Sequence, residues 1–336
     1  GQSQHDLAKE QFTLDTLLAN LVASSAIENE TINVFSLRSS LAQRLGVTLE
    51  QPYPSSDRSE GLANIMLDTL NDVKQPLTVN RLMQWHRWLF NDPDWTMHRL
   101  RIGQLRGAEP MQVVSGRLDY PKVHFEAPPR QGLEERLNAF IDWFNQSLND
   151  SLLDPLLRAG ITHLWFVTLH PFDDGNGRIT RTLTDLSLAQ MDEQSIRLYA
   201  MSTAILNKRK SYYEILEQTQ KNDSDITDWL VWFLDTLNDS LEKTLAQISR
   251  TLFKSQFWHK YSNLALSEEQ RKVLNRLLDG GENGFEHGIS ASQYQKVAKT
   301  SKATATRHLS DLLEKKCIVK LEGGGRNTRY QINTQL

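Results

Sequence analysis

A chain of 336 residues is long enough for about two domains, each with its own core. With 24% charged and 39% apolar residues it reads as an ordinary globular protein, and its single cysteine, Cys317, excludes a disulfide framework or a multi-cysteine zinc site. The net charge of −3 hides a split: residues 290–336 hold nine Lys/Arg against three Asp/Glu, or +6, which leaves −9 on residues 1–289. That asymmetry marks a basic tail that could meet nucleic acid, with a plain solvated face as the alternative.

Cys317 lies in the apolar context Cys-Ile-Val and reads as a buried structural thiol. No run of about 18 apolar residues and no signal-peptide layout appear, so the expected location is cytoplasmic, with no membrane partner. The opening Gly-Gln-Ser-Gln lacks a methionine and reads as a processed or trimmed start, ahead of which sequence could be missing.

In chain order, Leu14, Leu17, Leu18, Leu21 and Val22 form a helical stripe over 12–30. It ends in Ser24-Ser25-Ala26-Ile27-Glu28-Asn29-Glu30, where Ser24 and Glu28, four apart, share a helical face. A second helix is expected at Val34–Leu45, stopped by Gly46. Helices follow at about 58–73 and 78–90, the latter capped by Thr78, with Trp85 and Trp88 packing in the core.

Residues 100–130 break the pattern. Val113–Gly116 and Lys122–Glu126 are β-prone runs around a turn-like Gly116–Pro121 interval, closed by Pro128-Pro129. A lone hairpin is marginal, so it should lean on a helical body, and its edges could accept an extended peptide. Helices resume at 131–149 and 156–169, where Pro171 should leave His170 at the C-terminal edge. Past Asn176 another helix carries Arg178 and Arg181 in its first turns. Further helices fit 202–220, with Tyr212-Tyr213, and 225–261. The tail reads as a helix at 267–278, then 289–298, a turn, 302–315, and a hairpin of 318–321 with 330–332. That order outlines a winged helix.

The chemistry concentrates in His170-Pro171-Phe172-Asp173-Asp174-Gly175-Asn176-Gly177-Arg178-Ile179-Thr180-Arg181. Two glycines around Asn176, leading into a helix, let backbone N–H groups and the helix N-terminus face an anion. Arg178 and Arg181, three apart, can hold phosphate oxygens in a fork. Asp174 beside that anion calls for a divalent cation, and Mg²⁺ held by one carboxylate plus phosphate oxygens is the natural solution. His170 can take a proton from an incoming hydroxyl as general base. Neither the Rossmann nor the P-loop pattern is present. A metal-dependent hydrolase using His163, His170 and Asp173 or Asp174 matches no zinc spacing, and a structural loop with incidental charges stays open.

This stretch resembles the Fic-domain signature, His-Pro-Phe-x-Asp/Glu-Gly-Asn-Gly-Arg-x-x-Arg, at every defined position. The resemblance covers roughly residues 10–260. It implies a mainly α fold: a Fic helical bundle with a β-hairpin flap, followed by a small winged-helix (α+β) domain. The implied divisions are 1–57 for an N-terminal segment with an inhibitory motif, 58–262 for the Fic domain and 263–336 for the winged helix. The implied activity is transfer of AMP from ATP to a protein Ser, Thr or Tyr hydroxyl, self-modification included. His170 then resembles the base and Asp174 the Mg²⁺ ligand. The Gly175, Asn176 and Gly177 amides resemble the anion hole, with Arg178 on the α/β-phosphates and Arg181 on the γ-phosphate. Phe172 would anchor the loop inward.

By the same resemblance, Val123, His124, Phe125 and Glu126 lie in the flap nearest the nucleotide and target. Tyr212 and Tyr213 match an aromatic pair of the adenosine pocket, with ordinary packing as the alternative. Ser24-x-x-x-Glu28-Asn29 looks like the family's inhibitory motif, in which Asn29 is the less usual of two permitted residues. Glu28 would compete with the γ-phosphate for Arg181 and leave bound ATP out of line. Homodimer pairing is a further family expectation. The rival readings are removal of AMP by the same site, and a DNA-binding regulator that contacts DNA through 289–333 and senses ATP without chemistry. The intact His170 and Asp174 favour the transferase.

Overall fold

The computed structural model describes residues 4–94, 100–117, 120–192, 200–222 and 224–336. The chain divides into two compact units, Gly1–Leu241 and Glu242–Leu336. Among the described residues, regular structure is mainly helical, with two short two-stranded sheets.

The first unit begins with α1 (Gln4–Ile27), which starts eight residues ahead of the apolar stripe. Residues 6–9 of that extension are exposed, so good helix formers rather than a buried face carry it. Helix α2 (Val34–Leu45) is capped by the Asn33 side chain and ends at Gly46, as the pattern predicts. Helices α3 (Asp57–Asn71) and α4 (Val79–Leu89) start at Ser56 and Thr78, whose hydroxyls accept from the N–H groups of Ser59 and Arg81. Strands β1 (Gln112–Arg117) and β2 (Tyr120–Glu126) pair antiparallel, with a bulge between Val113 and Val114. Pairing extends to Gly116↔Pro121 and Arg117↔Tyr120, so the expected turn interval is shorter than read. Its tip, 118–119, lies outside the described residues.

Helices α5 (Leu133–Ser147), α6 (Pro155–Leu169) and α7 (Asn176–Met191) follow, and α6 packs against α7. The expected helix over 202–220 is two pieces, α8 (Met201–Asn207) and α9 (Arg209–Lys221), interrupted at Lys208, whose φ and ψ leave the helical region. Helix α10 (Thr227–Lys260) contains the division between the units.

The main core joins Leu14 and Leu17 of α1 to Leu41, Met66, Trp85, Phe140, Phe166 and Leu183. Trp85 is fully buried, while Trp88 is half-buried against the same core. Ile27, the last residue of α1, belongs instead to a second cluster with Tyr212, Trp229 and Phe233. Each fully buried Leu or Phe contributes roughly 1.5–3 kcal/mol. The two clusters therefore tie α1 to the helices that carry the signature loop and the tyrosine pair.

In the second unit, α11 (Glu268–Asp279) and α12 (Ala291–Ala298) begin with capping boxes at Ser267/Gln270 and Ser290/Gln293. Helix α13 (Lys302–Glu314) is capped by Ser301. Strands β3 (Ile318–Lys320) and β4 (Tyr330–Ile332) pair antiparallel, and Ile289 bridges to Tyr330. Ile289 thus sits on the sheet rather than in the helix expected from 289. Val273, Leu274, Leu309, Leu312 and the buried Cys317 fill this unit's core.

Candidate active site

The loop between α6 and α7 owes its shape to contacts made by its own residues. His170 caps α6 in the left-handed region, at φ 48°, and its N–H still reaches the Phe166 carbonyl at 3.2 Å. Asn176 turns back on the loop: its Oδ1 accepts from Phe172 N and its Nδ2 donates to Phe172 O, both at 2.9 Å. Phe172 is fully buried and stacks on His86, with ring centroids 4.2 Å apart. Gly175 has φ +87°, and a Cβ there would meet Leu89 and Phe90 within 3 Å.

His86 fixes the loop from α4. Gly103 N donates to its Nδ1 at 2.9 Å, so its Nε2 carries the proton and donates to Asp174 O at 3.0 Å. Burial pushes this imidazole down to about 4 and keeps it neutral, although the Asp174 carbonyl opposes the shift. Arg106 staples the other side: its Nε donates to His170 O at 2.7 Å and its Nη2 to Pro128 O at 2.5 Å, while its N–H donates to Pro171 O. Loop and flap base thus share one buried guanidinium.

His170 itself is held down to about 4, chiefly by burial and then by Arg106, with the Val167 carbonyl, Glu28 and Asp174 opposing. At neutral pH it is therefore in the form that accepts a proton. The Phe125 ring stands edge-on to it at 6.2 Å.

The N-terminus of α7 faces the end of α1. Arg181, 2% exposed, donates from Nη2 to Glu28 Oε1 at 2.8 Å and to Ser24 O at 2.9 Å, and from Nε to Ser24 Oγ at 2.8 Å. Burial works against the Glu28 carboxylate, but the Arg181 guanidinium outweighs it and lowers the pKa of Glu28. The same carboxylate covers the start of α7: a Cβ on Gly177 would lie 2.2 Å from Glu28 Oε1. Asn29 adopts φ 58°, and Glu30 N closes the turn on Ser25 O. That left-handed position explains why a motif of this kind takes Gly or Asn there.

A cavity of about 870 Å³ opens beside these groups. Its lining includes Glu28, Asn29, His170, Gly177, Tyr212 and Tyr213 from the helical body, and His124 and Phe125 from the flap. Val123, Glu126, Asp174, Arg178 and Arg181 are not among its lining residues. Both arginines lie behind carboxylates: Arg181 behind Glu28, and Arg178 behind Glu30, which accepts from Arg178 Nη1 at 2.5 Å. Asp174 is half exposed, 3.7 Å from Arg178 Nη2, and accepts from Gly175 N at 2.7 Å. No group of three or more His, Cys, Asp or Glu is gathered among the described residues, so a cation at Asp174 would need ligands from elsewhere. A single carboxylate is a donor set that would suit Mg²⁺ only with waters and phosphate oxygens as the other ligands.

Tyr212 is 1% exposed and chiefly a packing residue. Thr184 Oγ1 donates to Thr180 O, so it accepts from His163 Nδ1, and His163 Nε2 accepts from the Tyr212 hydroxyl at 2.7 Å. Buried His163 is thereby a structural histidine, pushed down to about 3 by desolvation and not placed to ligate a metal. Tyr213 is half-buried and donates to Ile27 O at 3.2 Å, beside Arg209 Nε on the same carbonyl at 2.8 Å. On the flap, His124 Nδ1 lies 2.6 Å from Glu217 Oε2 of α9.

Residues 76–188 match the model of the Fic/DOC family, and residues 2–47 match a domain of unknown function (DUF4172). The chain is similar to the protein adenylyltransferase Fic of Nematostella vectensis, 26% identical over 204 residues, or 60% of this chain and 42% of that protein. It is also similar to the protein adenylyltransferase fic-1 of Caenorhabditis elegans, 25% identical over 186 residues, or 54% and 34%. The chain thus matches less than half the length of these curated relatives. A Fic family protein from Desulfovibrio desulfuricans G20 superposes with a TM-score of 0.53 at 17% identity, covering 98% of this chain and 88% of that one. A Fic domain containing signaling protein from Bacteroides thetaiotaomicron VPI-5482 gives 0.53 at 19% identity, covering 73% and 89%. The chain therefore carries a Fic domain over residues 76–188, within the helical fold of Fic proteins.

Proposed function

We propose that this chain transfers AMP from ATP to a hydroxyl side chain of a protein, itself included, and that Glu28 holds the site inactive. The observation that carries this reading is the Glu28 carboxylate, which occupies Arg181 and the start of α7 while His170 stays neutral beside the cavity. In the transfer, the target hydroxyl oxygen attacks the α-phosphorus, the bond to the bridging oxygen breaks, and pyrophosphate leaves. The hydroxyl proton passes to His170. The amides at Gly175–Gly177 and the guanidiniums of Arg178 and Arg181 hold the phosphate oxygens. Mg²⁺ at Asp174 would offset the charge that develops on the phosphates.

With Glu28 on Arg181, the γ-phosphate loses its partner and the chain of phosphates cannot lie in line with the attacking oxygen. Positioning is most of what a protein supplies in such a reaction, so the displacement silences it. The flap supports target binding by strand addition, which reads backbone rather than sequence. In the tail, helix order, the Ile289 bridge and basic charge support a winged helix that contacts DNA.

Incubation with ATP and Mg²⁺ followed by intact mass tests the reading. Glu28→Gly should raise the gain of AMP units on the order of a hundredfold, the scale of effect that misplacing reacting groups by about 1 Å carries. His170→Ala in that background should abolish the gain while ATP still binds. Unchanged modification in Glu28→Gly, with normal ATP binding, rejects the inhibitory role.

A further inference from the structure

Glu30 lies two residues past Glu28, outside the motif that singled out Glu28, and makes the tighter set of contacts. Its Oε2 accepts from Arg178 Nη1 at 2.5 Å and from Arg58 Nη2 of α3 at 2.7 Å. Two guanidiniums converging on one oxygen is the arrangement a phosphate oxygen takes. The Arg178 side chain is 7% exposed, the Phe90 ring lies 5.3 Å below the guanidinium, its buried Nε has no hydrogen-bond partner, and half-exposed Asp174 stands 3.7 Å from its Nη2. An anion reaches the Nη1 edge, the one shared with Arg58, by taking the place of Glu30.

We propose that Arg58 and Arg178 form a second phosphate subsite, and that Glu30 is a second carboxylate plug seated in it. The inference rests on the reading of this site as a nucleotide-phosphate site. The left-handed turn at Asn29 puts Glu28 and Glu30 on either side of one residue, and Arg178 and Arg181 lie three apart on α7. One reversal of the chain therefore delivers two carboxylates to two arginines, and the departure of that turn frees both together. Arg58 thereby becomes a phosphate ligand contributed by α3, outside the signature. The opposite role for Glu30 is positioning, in which it stays in place during turnover and aims Arg178 at the nucleotide.

ATP and ADP separate the two plugs, because on that reading Arg181 takes the γ-phosphate and Arg178 the inner phosphates. Calorimetric titration of the full chain with Mg-ATP and Mg-ADP is the test. Glu30→Gln should tighten both nucleotides about tenfold, whereas Glu28→Gly should tighten ATP alone. Adding Arg58→Gln to Glu30→Gln should take back the gain for both. Thermal melts check folding, and Glu30→Asp, which withdraws the carboxylate while keeping its charge, should move both affinities in the same direction by a smaller factor. Unchanged or weaker ADP binding in Glu30→Gln and Glu30→Asp overturns the proposal in favour of a positioning carboxylate. Failure of Glu28→Gly to tighten ATP counts instead against the reading on which it rests.

Discussion

Gly177 shows how little room the start of α7 leaves beside Glu28. A methyl group there would sit 2.2 Å from Glu28 Oε1 and 3.1 Å from Arg181 Nη1, so the carboxylate would have to leave. The same methyl would also meet any phosphate oxygen seated in that place. Gly177→Ala should therefore fail to activate the protein, and in the Glu28→Gly background it should weaken ATP binding at least about tenfold. The fold should survive, since Ala in place of Gly inside a helix contributes roughly 0.5–1 kcal/mol. Calorimetry with ATP, alongside a thermal melt, checks both halves; undiminished ATP binding would place the phosphates elsewhere. The signature residues were legible because their spacing alone implies an anion site. Arg106, His86 and Glu30 were not: each works on a partner 64, 88 or 148 residues away, and nothing beside it in the chain marks that pairing.

At the scale of elements, α1 is seated on the body through Asn20 as well as through the bonds to Ser24 and Ile27 at its end. Asn20 Nδ2 donates to Asp185 Oδ2 of α7 at 2.7 Å, and Asn20 Oδ1 accepts from Ser202 N of α8 at 3.2 Å. Burial pushes the Asp185 carboxyl up to about 7, against the pull of the Asn20 amide and the Arg181 charge. Between its ordinary value of 3.8 and about 7, the folded chain holds a proton that the unfolded chain has lost. This contribution to stability is fully present below 3.8 and disappears as pH rises through 7. Asp185→Asn keeps an acceptor for Asn20 and removes the titration. Its stability advantage over the native chain should grow from about zero at pH 4 to about 2–4 kcal/mol at pH 8, by denaturant melts across that range. A constant difference would remove Asp185 from the account. The helices themselves were readable from apolar period and caps, as at Asn33, Ser56 and Thr78. The start of α1 and the break at Lys208 were not, because exposed residues 6–9 extend the helix without a buried face and the apolar period carries no mark of the break.

Over the whole molecule, charge is distributed against function in a telling way. The Fic domain lies in the acidic part of the chain, and the nucleotide proposed for it would be drawn by a few arginines that carboxylates now cover. The tail carries +6 over residues 290–336 with no nucleotide motif to use it. Exposed Lys296 and Lys299 lie on and just past α12, and exposed Lys302, Thr306 and Arg307 lie on the first turns of α13. Arg326 is exposed in the turn between β3 and β4, whereas Arg329 is turned back onto Gly288 O and Gln293. The small residues Ala303 and Thr306 beside Lys302 and Arg307 would let the helix approach a groove floor closely. A duplex should therefore bind the full chain with an affinity that falls steeply with salt. Lys302→Ala and Arg307→Ala should each weaken binding, and Arg326→Ala should lower the salt slope by about one phosphate contact. Fluorescence anisotropy from about 50 to 200 mM salt measures this. Binding that is absent at low salt, or indifferent to all three substitutions, would reassign the tail to protein docking.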